Sequence, residues 1–218
     1  MCGLVGILGG VDPLGGQGDE ALIKRMADTI MHRGPDDAGY WCDSEQRIGL
    51  GHRRLSIIDL SNAGHQPMQS GSGRYVIAFN GEIYNHLSLR QVLQGVNLAK
   101  TWCGHSDTET LLAGFEAWGV KKTIEKVIGM FAIAVWDKLT NTLTLVRDRI
   151  GEKPLYYGWQ GDTFLFGSEL KSFKQHPAFK SEINRDAITL LLRHNYIPTP
   201  YSIYKGIAKL EPGCLLTV

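Results

Sequence analysis

Closely spaced strand-like segments constrain the fold of this chain more than any other feature of its sequence. Each segment is a short run rich in apolar, β-branched or aromatic residues, and Gly, Asn and Ser punctuate the connections. Because most neighbouring segments are joined without a helical pattern between them, we expect antiparallel sheets. The predicted strands are Leu4–Leu8, Ala38–Cys42, Arg47–Gly51, Leu55–Ile58, Arg74–Phe79, Met130–Trp136, Thr142–Val146, Leu155–Tyr157 and Phe164–Phe166.

Helical periodicity appears in a few separate places along the chain. One helix is predicted to run from Asp19 to Met31, where Gly34-Pro35 ends it, with Gly34 suited to a left-handed cap. The others are predicted at His86–Leu93, from Ser106 to Gly119, and at Arg185–His194. Strands in runs with helices set apart from them indicate an α+β protein.

Composition excludes several classes of function. The chain has 218 residues, 43% of them hydrophobic, and a net charge of +1, so it can bury a sizeable core but offers no basic surface for nucleic acid. No apolar run approaches the ~18 residues of a membrane span, and no secretory signal is evident. The four cysteines are scattered without a C-x-x-C pair, which argues against a zinc site or a disulfide framework. We therefore expect a cytoplasmic protein without a metal.

The position of Cys2 gives it a chemical potential that an internal cysteine lacks. Removal of Met1 would leave Cys2 with a thiol and a free α-amine on one residue. The amine titrates near ~7.7–8.0 and the thiol near ~8.5, so the amine can take the thiol proton at neutral pH. Nucleophile and base then come from the same residue. Taken alone, a cysteine after the initiator Met is more often accidental.

The segment Asn80-Gly81-Glu82-Ile83-Tyr84-Asn85 admits two interpretations. Asn-Gly between apolar runs is ordinarily a two-residue hairpin turn. An Asn side-chain amide beside a Gly backbone N–H can also aim two donors at one point, as stabilisation of an oxyanion requires.

Two charged residues, Arg54 and Asp107, also admit both a structural and a functional interpretation. Arg54 sits at the start of a predicted strand, where a guanidinium can bind a carboxylate but is more often a solvated charge. Asp107 belongs to Ser106-Asp107-Thr108-Glu109, which reads as a capping box, and the helix dipole alone explains it. As a carboxylate at the tip of an element, it could also bind an ammonium group.

Two further segments bear on neighbouring domains. Arg147-Asp148-Arg149 predicts a salt-bridged turn, with contact to a partner domain as the alternative. The chain ends on the apolar run Leu215-Leu216-Thr217-Val218, whereas domains usually end in exposed polar residues. We therefore expect a domain of residues 1–218 that is part of a longer protein.

Taken together and in order, seven segments resemble the class II glutamine amidotransferase domain, most closely that of glutamine-hydrolysing asparagine synthetases. The resemblance covers essentially the whole chain. The matching segments are Met1–Gly6, His32–Asp36, His52–Ile57, Asn80–Asn85, Ser106–Glu109, Gly129–Ala132 and Arg147–Tyr157.

The resemblance implies a fold and a set of residue roles. The fold is that of N-terminal-nucleophile hydrolases, a four-layer αββα sandwich of two stacked antiparallel sheets. Cys2 is implied as the nucleophile towards the glutamine amide, and Asn80 with Gly81 as the oxyanion hole. Arg54 would hold the α-carboxylate of glutamine. Further substrate contacts are implied for the acids Glu82 and Asp107, at the α-ammonium group, and for backbone groups of Leu55 and Ile57.

The resemblance also implies how the reaction is used. Glutamine is hydrolysed without a cofactor through a γ-glutamyl thioester, and the ammonia passes to a C-terminal synthetase domain that uses ATP and Mg²⁺ to amidate aspartate. No S-G-G-x-D-S-type loop occurs in the chain, so that domain is absent. A relative that amidates another carboxylate, or an inactive scaffold domain, is the alternative. The sequence does not decide between a monomer and a homodimer.

Overall fold

Two stacked antiparallel sheets form the centre of the fold. The computed structural model describes residues 2–10, 17–57, 59–95 and 102–218. The first sheet has the strand order β10-β8-β9-β1-β3-β2 and the second β11-β7-β6-β5-β4. The strands are β1 Gly3–Gly9, β2 Asp37–Asp43, β3 Ile48–Arg54, β4 Met68–Gln69, β5 Tyr75–Ile83, β6 Gly129–Asp137, β7 Thr142–Arg147, β8 Tyr156–Gln160, β9 Thr163–Gly167, β10 Ala208–Lys209 and β11 Leu215–Thr217.

Side chains alternate between the two faces of each strand, and this alternation sorts the core into layers. In β5, Val76 and Ala78 face the first sheet, whereas Ile77 and Phe79 face the helices on the other side. In β1, Leu4 joins the core between the sheets and Val5 packs outward. Large side chains fill the space between the sheets, among them Trp136, Phe164 and Phe166.

Helices cover the outer face of each sheet. The α-helices are α1 Gln17–Asp28, α2 His86–Gly95, α3 Asp107–Trp118, α4 Val120–Lys126, α5 Leu170–Phe173 and α6 Arg185–His194, and short 3₁₀ turns lie at Met31–Arg33 and Asn62–Gly64. Ile23 and Met26 of α1 pack on the first sheet, and Leu111 and Phe115 of α3 pack on the second. The four-layer αββα arrangement is therefore confirmed. None of the helices in the described ranges is long and apolar enough to cross a membrane.

The end of α1 differs from the prediction. The α-helix stops at Asp28, and a 3₁₀ turn at Met31–Arg33 follows it. Gly34 has φ −149°, an extended conformation, so the left-handed cap was wrong. The requirement for glycine is steric, since a Cβ at Gly34 would lie 2.4 Å from the carbonyl oxygen of Arg53.

The predicted strand Leu55–Ile58 was also wrong in the part that the structure describes, because β3 ends at Arg54 and residues 55–57 form no strand. Ile58 lies outside the described residues. The chain turns because the guanidinium of Arg54 donates to the carbonyls of Asp59 and Ser61, which folds the segment back into a loop. The apolar composition of the segment gave no sign of these contacts.

The cluster Arg147-Asp148-Arg149 forms a turn, but backbone groups rather than ion pairs stabilise it. Asp148 accepts hydrogen bonds from the backbone N–H groups of Phe131, Ile150, Gly151, Glu152 and Lys153. These bonds hold the pKa of Asp148 below its ordinary value, although burial raises it. Arg147 donates to carbonyls of Gly151, Lys153 and Leu210. The prediction of a turn is therefore confirmed, but the salt bridge that was predicted to stabilise it was wrong.

Candidate active site

Three strands bring predicted site residues to one end of the space between the sheets. Leu50 of β3 and Ala78 of β5 face that space, so the alternation places Arg54 and Asn80 on the same face. Cys2 lies directly before β1, in phase with the inward-facing Leu4. Position within each strand, rather than proximity in sequence, therefore brings Cys2, Arg54 and Asn80 together.

These residues line a cleft of about 630 Å³, a volume that includes the solvent at its mouth. Every residue that the sequence predicted for the site belongs to its lining: Cys2, Arg54, Leu55, Ile57, Asn80, Gly81, Glu82 and Asp107.

Backbone and side-chain contacts fix Cys2 at the cleft. Its Sγ lies 3.3 Å from the backbone nitrogen of Leu55, which donates to it, and 3.6 Å from the Leu55 carbonyl oxygen. Arg33 donates to the carbonyl of Cys2 over 2.9 Å. Burial raises the pKa of the Cys2 thiol, while the Leu55 N–H and the charge of Arg54 oppose the rise. The resting thiol therefore keeps its proton, and its reaction as a nucleophile requires a base.

Asn80 presents an unpaired donor to the same cleft. Its side chain is 1% exposed, yet its Nδ2 has no hydrogen-bond partner among the described residues. A buried donor without a partner costs ~1–3 kcal/mol. Such a donor is rare in a folded protein, and a ligand that accepts its hydrogen bond would explain why it is retained.

The backbone of Gly81 supplies a second donor beside Asn80. Strand N–H groups alternate between the two edges, and those of Phe79 and Ile83 bond to Gln66 and Asp107 instead of β6. The N–H of Gly81 lies between them and points to the same edge. A Cβ at this position would lie 2.2 Å from the carbonyl oxygen of Met130, so only glycine fits. The hairpin turn is not formed, because β5 continues through both residues.

Arg54 shapes the loop that forms one wall of the cleft. It is 8% exposed, donates to the Ser61 carbonyl over 3.0 Å, and lies 4.0 Å from a carboxylate oxygen of Asp37. Asp59, whose carbonyl also accepts from Arg54, receives the backbone N–H of His105 at its carboxylate over 2.8 Å. The pKa of Asp59 is lowered to about 2, chiefly by the Ser61 hydroxyl and the His105 N–H. A guanidinium has five N–H donors, so these contacts leave capacity for a ligand.

Two carboxylates face the cleft from different elements. Glu82 lies on β5, and Asp107 occupies the first turn of α3, where its Oδ2 accepts from Ile83 N–H over 2.8 Å. Burial raises the pKa of Asp107 to about 6, and the charge of Glu82 adds to the rise. A buried carboxylate beside a second acid is a suitable site for a cation.

The capping box at the start of α3 forms only in part. Ser106 Oγ accepts from the backbone N–H of Glu109 over 3.3 Å, as the pattern predicts. The carboxylate of Glu109 binds the backbone N–H groups of Cys103 and Gly104 instead of that of Ser106. The side chain of Ser106 therefore caps α3, without the reciprocal bond from Glu109.

The sequence did not single out several residues of the cleft lining, among them Asp59, Gln66 and Lys153. Gln66 is buried and bonds to groups 13 and 42 residues away in the sequence. Lys153 belongs to the matching segment Arg147–Tyr157, but no role was predicted for it. No local periodicity identifies such residues, because their role depends on long-range contacts.

The sequence was compared with known families and proteins. The sequence model of one family, described as "Glutamine amidotransferase domain", matches residues 1–218. The chain belongs to the class II glutamine amidotransferases. It is 40% identical over 219 residues to asparagine synthetase [glutamine-hydrolyzing] 1 of Bacillus subtilis, a match that covers all of this chain and 33% of that protein. It is 38% identical to a putative asparagine synthetase [glutamine-hydrolyzing] 2 of Methanocaldococcus jannaschii, covering 97% of this chain and 42% of the other.

A solved structure supports the same fold. Glutamine phosphoribosylpyrophosphate amidotransferase of Bacillus subtilis superposes on this amidotransferase chain with a TM-score of 0.65 at 20% identity, covering 79% of this chain and 43% of that one. This similarity confirms the stacked antiparallel sheets with their helices. The chain spans 33% and 42% of the length of the two curated relatives, so the activities of the longer proteins do not transfer to it directly.

Proposed function

We propose that this amidotransferase chain hydrolyses glutamine to glutamate and ammonia, with Cys2 as the nucleophile. The observation that carries the proposal is the buried Asn80 Nδ2, which has no hydrogen-bond partner in the described part of the chain and lines the same cleft as Cys2. Glutamine has one carboxylate, one ammonium group and one side-chain amide. Arg54 matches the first, Glu82 and Asp107 match the second, and Cys2 with the oxyanion donors matches the third.

The reaction follows from the charge state of the thiol. Because burial keeps the Cys2 thiol protonated at rest, the α-amine that Met1 removal would free acts as the base. The sulfur attacks the glutamine side-chain carbon while its proton passes to the amine. The carbonyl oxygen becomes an oxyanion, which receives hydrogen bonds from Asn80 Nδ2 and the Gly81 N–H.

Collapse of this tetrahedral species breaks the C–N bond. The leaving ammonia takes the proton from the amine, and a γ-glutamyl thioester stays on Cys2. A water molecule then attacks the thioester, with the α-amine again as base, and glutamate leaves. No cofactor takes part in either half of the reaction.

In the full-length protein, we propose that the ammonia reaches a C-terminal synthetase domain that activates aspartate with ATP and Mg²⁺. The names of the relatives and the share of their length that this chain leaves uncovered support this assignment. The full-length protein would be a cytoplasmic asparagine synthetase, with residues 1–218 as its glutaminase domain. A relative that amidates another carboxylate would keep the same glutaminase chemistry.

The test is an intact-mass spectrum of the purified chain before and after incubation with a diazo-oxo analogue of glutamine. Loss of the Met1 mass and a single adduct on Cys2 are the expected result. Cys103→Ser is a matched control, because Cys103 is exposed and lies outside the cleft lining. Its adduct yield should equal that of the wild type, whereas Cys2→Ala should give neither adduct nor glutamate. A Met1-free chain that neither forms the adduct nor releases glutamate would refute the proposal.

A further inference from the structure

Side chains, rather than a neighbouring strand, hold the backbone of β5 just before the oxyanion residues. Strand β4 pairs with β5 only at Val76 and Ile77, so beyond that point no strand of the described residues lies beside this edge of β5. The N–H of Phe79 donates to Gln66 Oε1 over 2.7 Å, and its carbonyl oxygen lies 2.9 Å from His52 Nε2. The peptide groups next to Asn80 are therefore positioned by two buried side chains.

The other end of Gln66 reaches helix α3. Its Nε2 donates to the hydroxyl of Thr108 over 3.2 Å, and Thr108 directly follows Asp107. Gln66 is 6% exposed and lines the cleft itself. One side chain thus joins the strand that presents the oxyanion donors to the helix that presents the buried carboxylate.

The chemistry of this link suits an amide side chain. An amide accepts through its oxygen and donates through its nitrogen, so Gln66 satisfies the Phe79 N–H and the Thr108 hydroxyl at once. An apolar side chain of the same length would fill the space but leave both groups without partners. The separation between Asn80 and Asp107 then depends on packing and on the bond from the Ile83 N–H to Asp107 Oδ2, which lies beyond the oxyanion residues along β5.

We infer that Gln66 is a positioning residue for glutamine hydrolysis, which sets the distance between the oxyanion donors and the ammonium-binding carboxylate. The inference rests on the proposed function. Bound glutamine must reach Asp107 with its ammonium group and the Asn80–Gly81 donors with its amide oxygen. A small error in that separation weakens the donors at the stage where charge develops on the oxygen, because ~1 Å of misplacement can cost ~100-fold in rate.

Two substitutions, Thr108→Val and Gln66→Met, test the contributions of the two hydrogen bonds of Gln66 separately. Thr108→Val removes only the bond to α3, and Thr108→Ser is its matched control because it keeps the hydroxyl. We expect Thr108→Val to raise KM for glutamine by about 2- to 10-fold, the effect of one lost hydrogen bond, with kcat close to the wild type. Thr108→Ser should retain the wild-type KM.

Gln66→Met removes both bonds with little change in side-chain volume. We expect kcat to fall by roughly 10- to 100-fold, because the oxyanion donors lose their alignment. The KM increase should match that of Thr108→Val, and the double variant should show no further increase. Labelling of Cys2 by iodoacetamide requires no glutamine pocket and should keep its wild-type rate.

The outcomes distinguish the inference from the function on which it rests. Wild-type kcat and KM in Gln66→Met, with an active wild-type chain, would overturn the inference alone. A fall in kcat that is matched by an equal fall in the iodoacetamide labelling rate and a lower Tm would also overturn it, since Gln66 would then only support the fold. A wild-type chain without any turnover of glutamine would refute the proposed function, and the inference with it.

Discussion

Replacement of Asp107 by Asn should stabilise the chain and impair it at the same time. Burial raises the pKa of Asp107 from its ordinary 3.8 to about 6. The difference of about 2 pH units corresponds to about 3 kcal/mol at ~1.36 kcal/mol per unit, and the side chain is buried enough for this conversion to apply. An Asn side chain pays no such cost and keeps an oxygen for the Ile83 N–H.

The sign of the effect follows from proton uptake. Below pH 3.8 the carboxyl group is protonated in both the folded and the unfolded chain. Between pH 3.8 and about 6 the unfolded chain loses a proton that the folded chain retains, so the free energy of unfolding falls as the pH rises. By pH 8 the wild type has lost about 3 kcal/mol that Asp107→Asn does not lose.

The assay is thermal unfolding of both proteins from pH 4 to pH 8. For a domain of this size ~1 kcal/mol moves Tm by ~2–4 °C, so Asp107→Asn should gain about 6–12 °C relative to the wild type across that range. Asp186→Asn is a matched control, since Asp186 is an exposed acid in the first turn of another helix, α6. A Tm difference that stays constant between pH 4 and pH 8 would refute the reasoning.

Asp107→Asn should weaken glutamine binding, although it stabilises the fold. In the proposed function the ionised form of Asp107 binds the ammonium group of glutamine, and the loss of a hydrogen bond to a charged group typically weakens binding by about 10-fold or more. KM for the wild type should therefore fall as the pH rises through about 6, whereas KM for Asp107→Asn should lack this dependence. An unchanged KM in the variant would leave Asp107 with a structural role at the start of α3.

Three further substitutions test other parts of the site. Asn80→Ala should lower kcat by ~10²–10³ and leave Tm near the wild-type value, because the lost amide nitrogen has no partner within the ranges that the structure describes; a normal kcat would exclude the oxyanion role. Gly81→Ala should lower Tm and abolish turnover, because its Cβ would lie 2.2 Å from the carbonyl oxygen of Met130. Asp148→Ala leaves four backbone N–H groups without their acceptor, since the Gly151 N–H keeps the carbonyl of residue 148, so urea unfolding should show a loss of about 3 kcal/mol or more.

The layers of the fold were predictable because each depends on local periodicity. The continuous apolar run Met130–Trp136 and the alternation in Thr142–Val146 identified β6 and β7 to within one residue at each end. Helix α6 was predicted at its observed limits, Arg185–His194, and the structure shows that the side chain of Asn184 caps its start. Such signals lie within a few residues of the element that they define.

The segments that were predicted wrongly depend on contacts between distant parts of the chain. Leu55–Ile58 has a strand-like composition, but residues 55–57 form a loop, because the Arg54 guanidinium donates to the Ser61 carbonyl and the Leu55 N–H donates to the Cys2 thiol. Glu109 binds Cys103 and Gly104 because their N–H groups come within its reach in the folded chain. Composition and periodicity contain no information about these pairings.

The Asn80-Gly81 pair shows why the site was harder to predict than the fold. Both of its interpretations use the same two properties, the hydrogen-bonding side chain of Asn and the missing Cβ of Gly. What excludes the turn is the neighbouring strand, since β6 pairs with β5 at both positions and brings Met130 close enough to require glycine at position 81. The same pairing leaves the other edge of β5 facing the cleft. The sequence contained both residues, and the antiparallel register determines that they face the cleft that Cys2 also lines rather than form a turn.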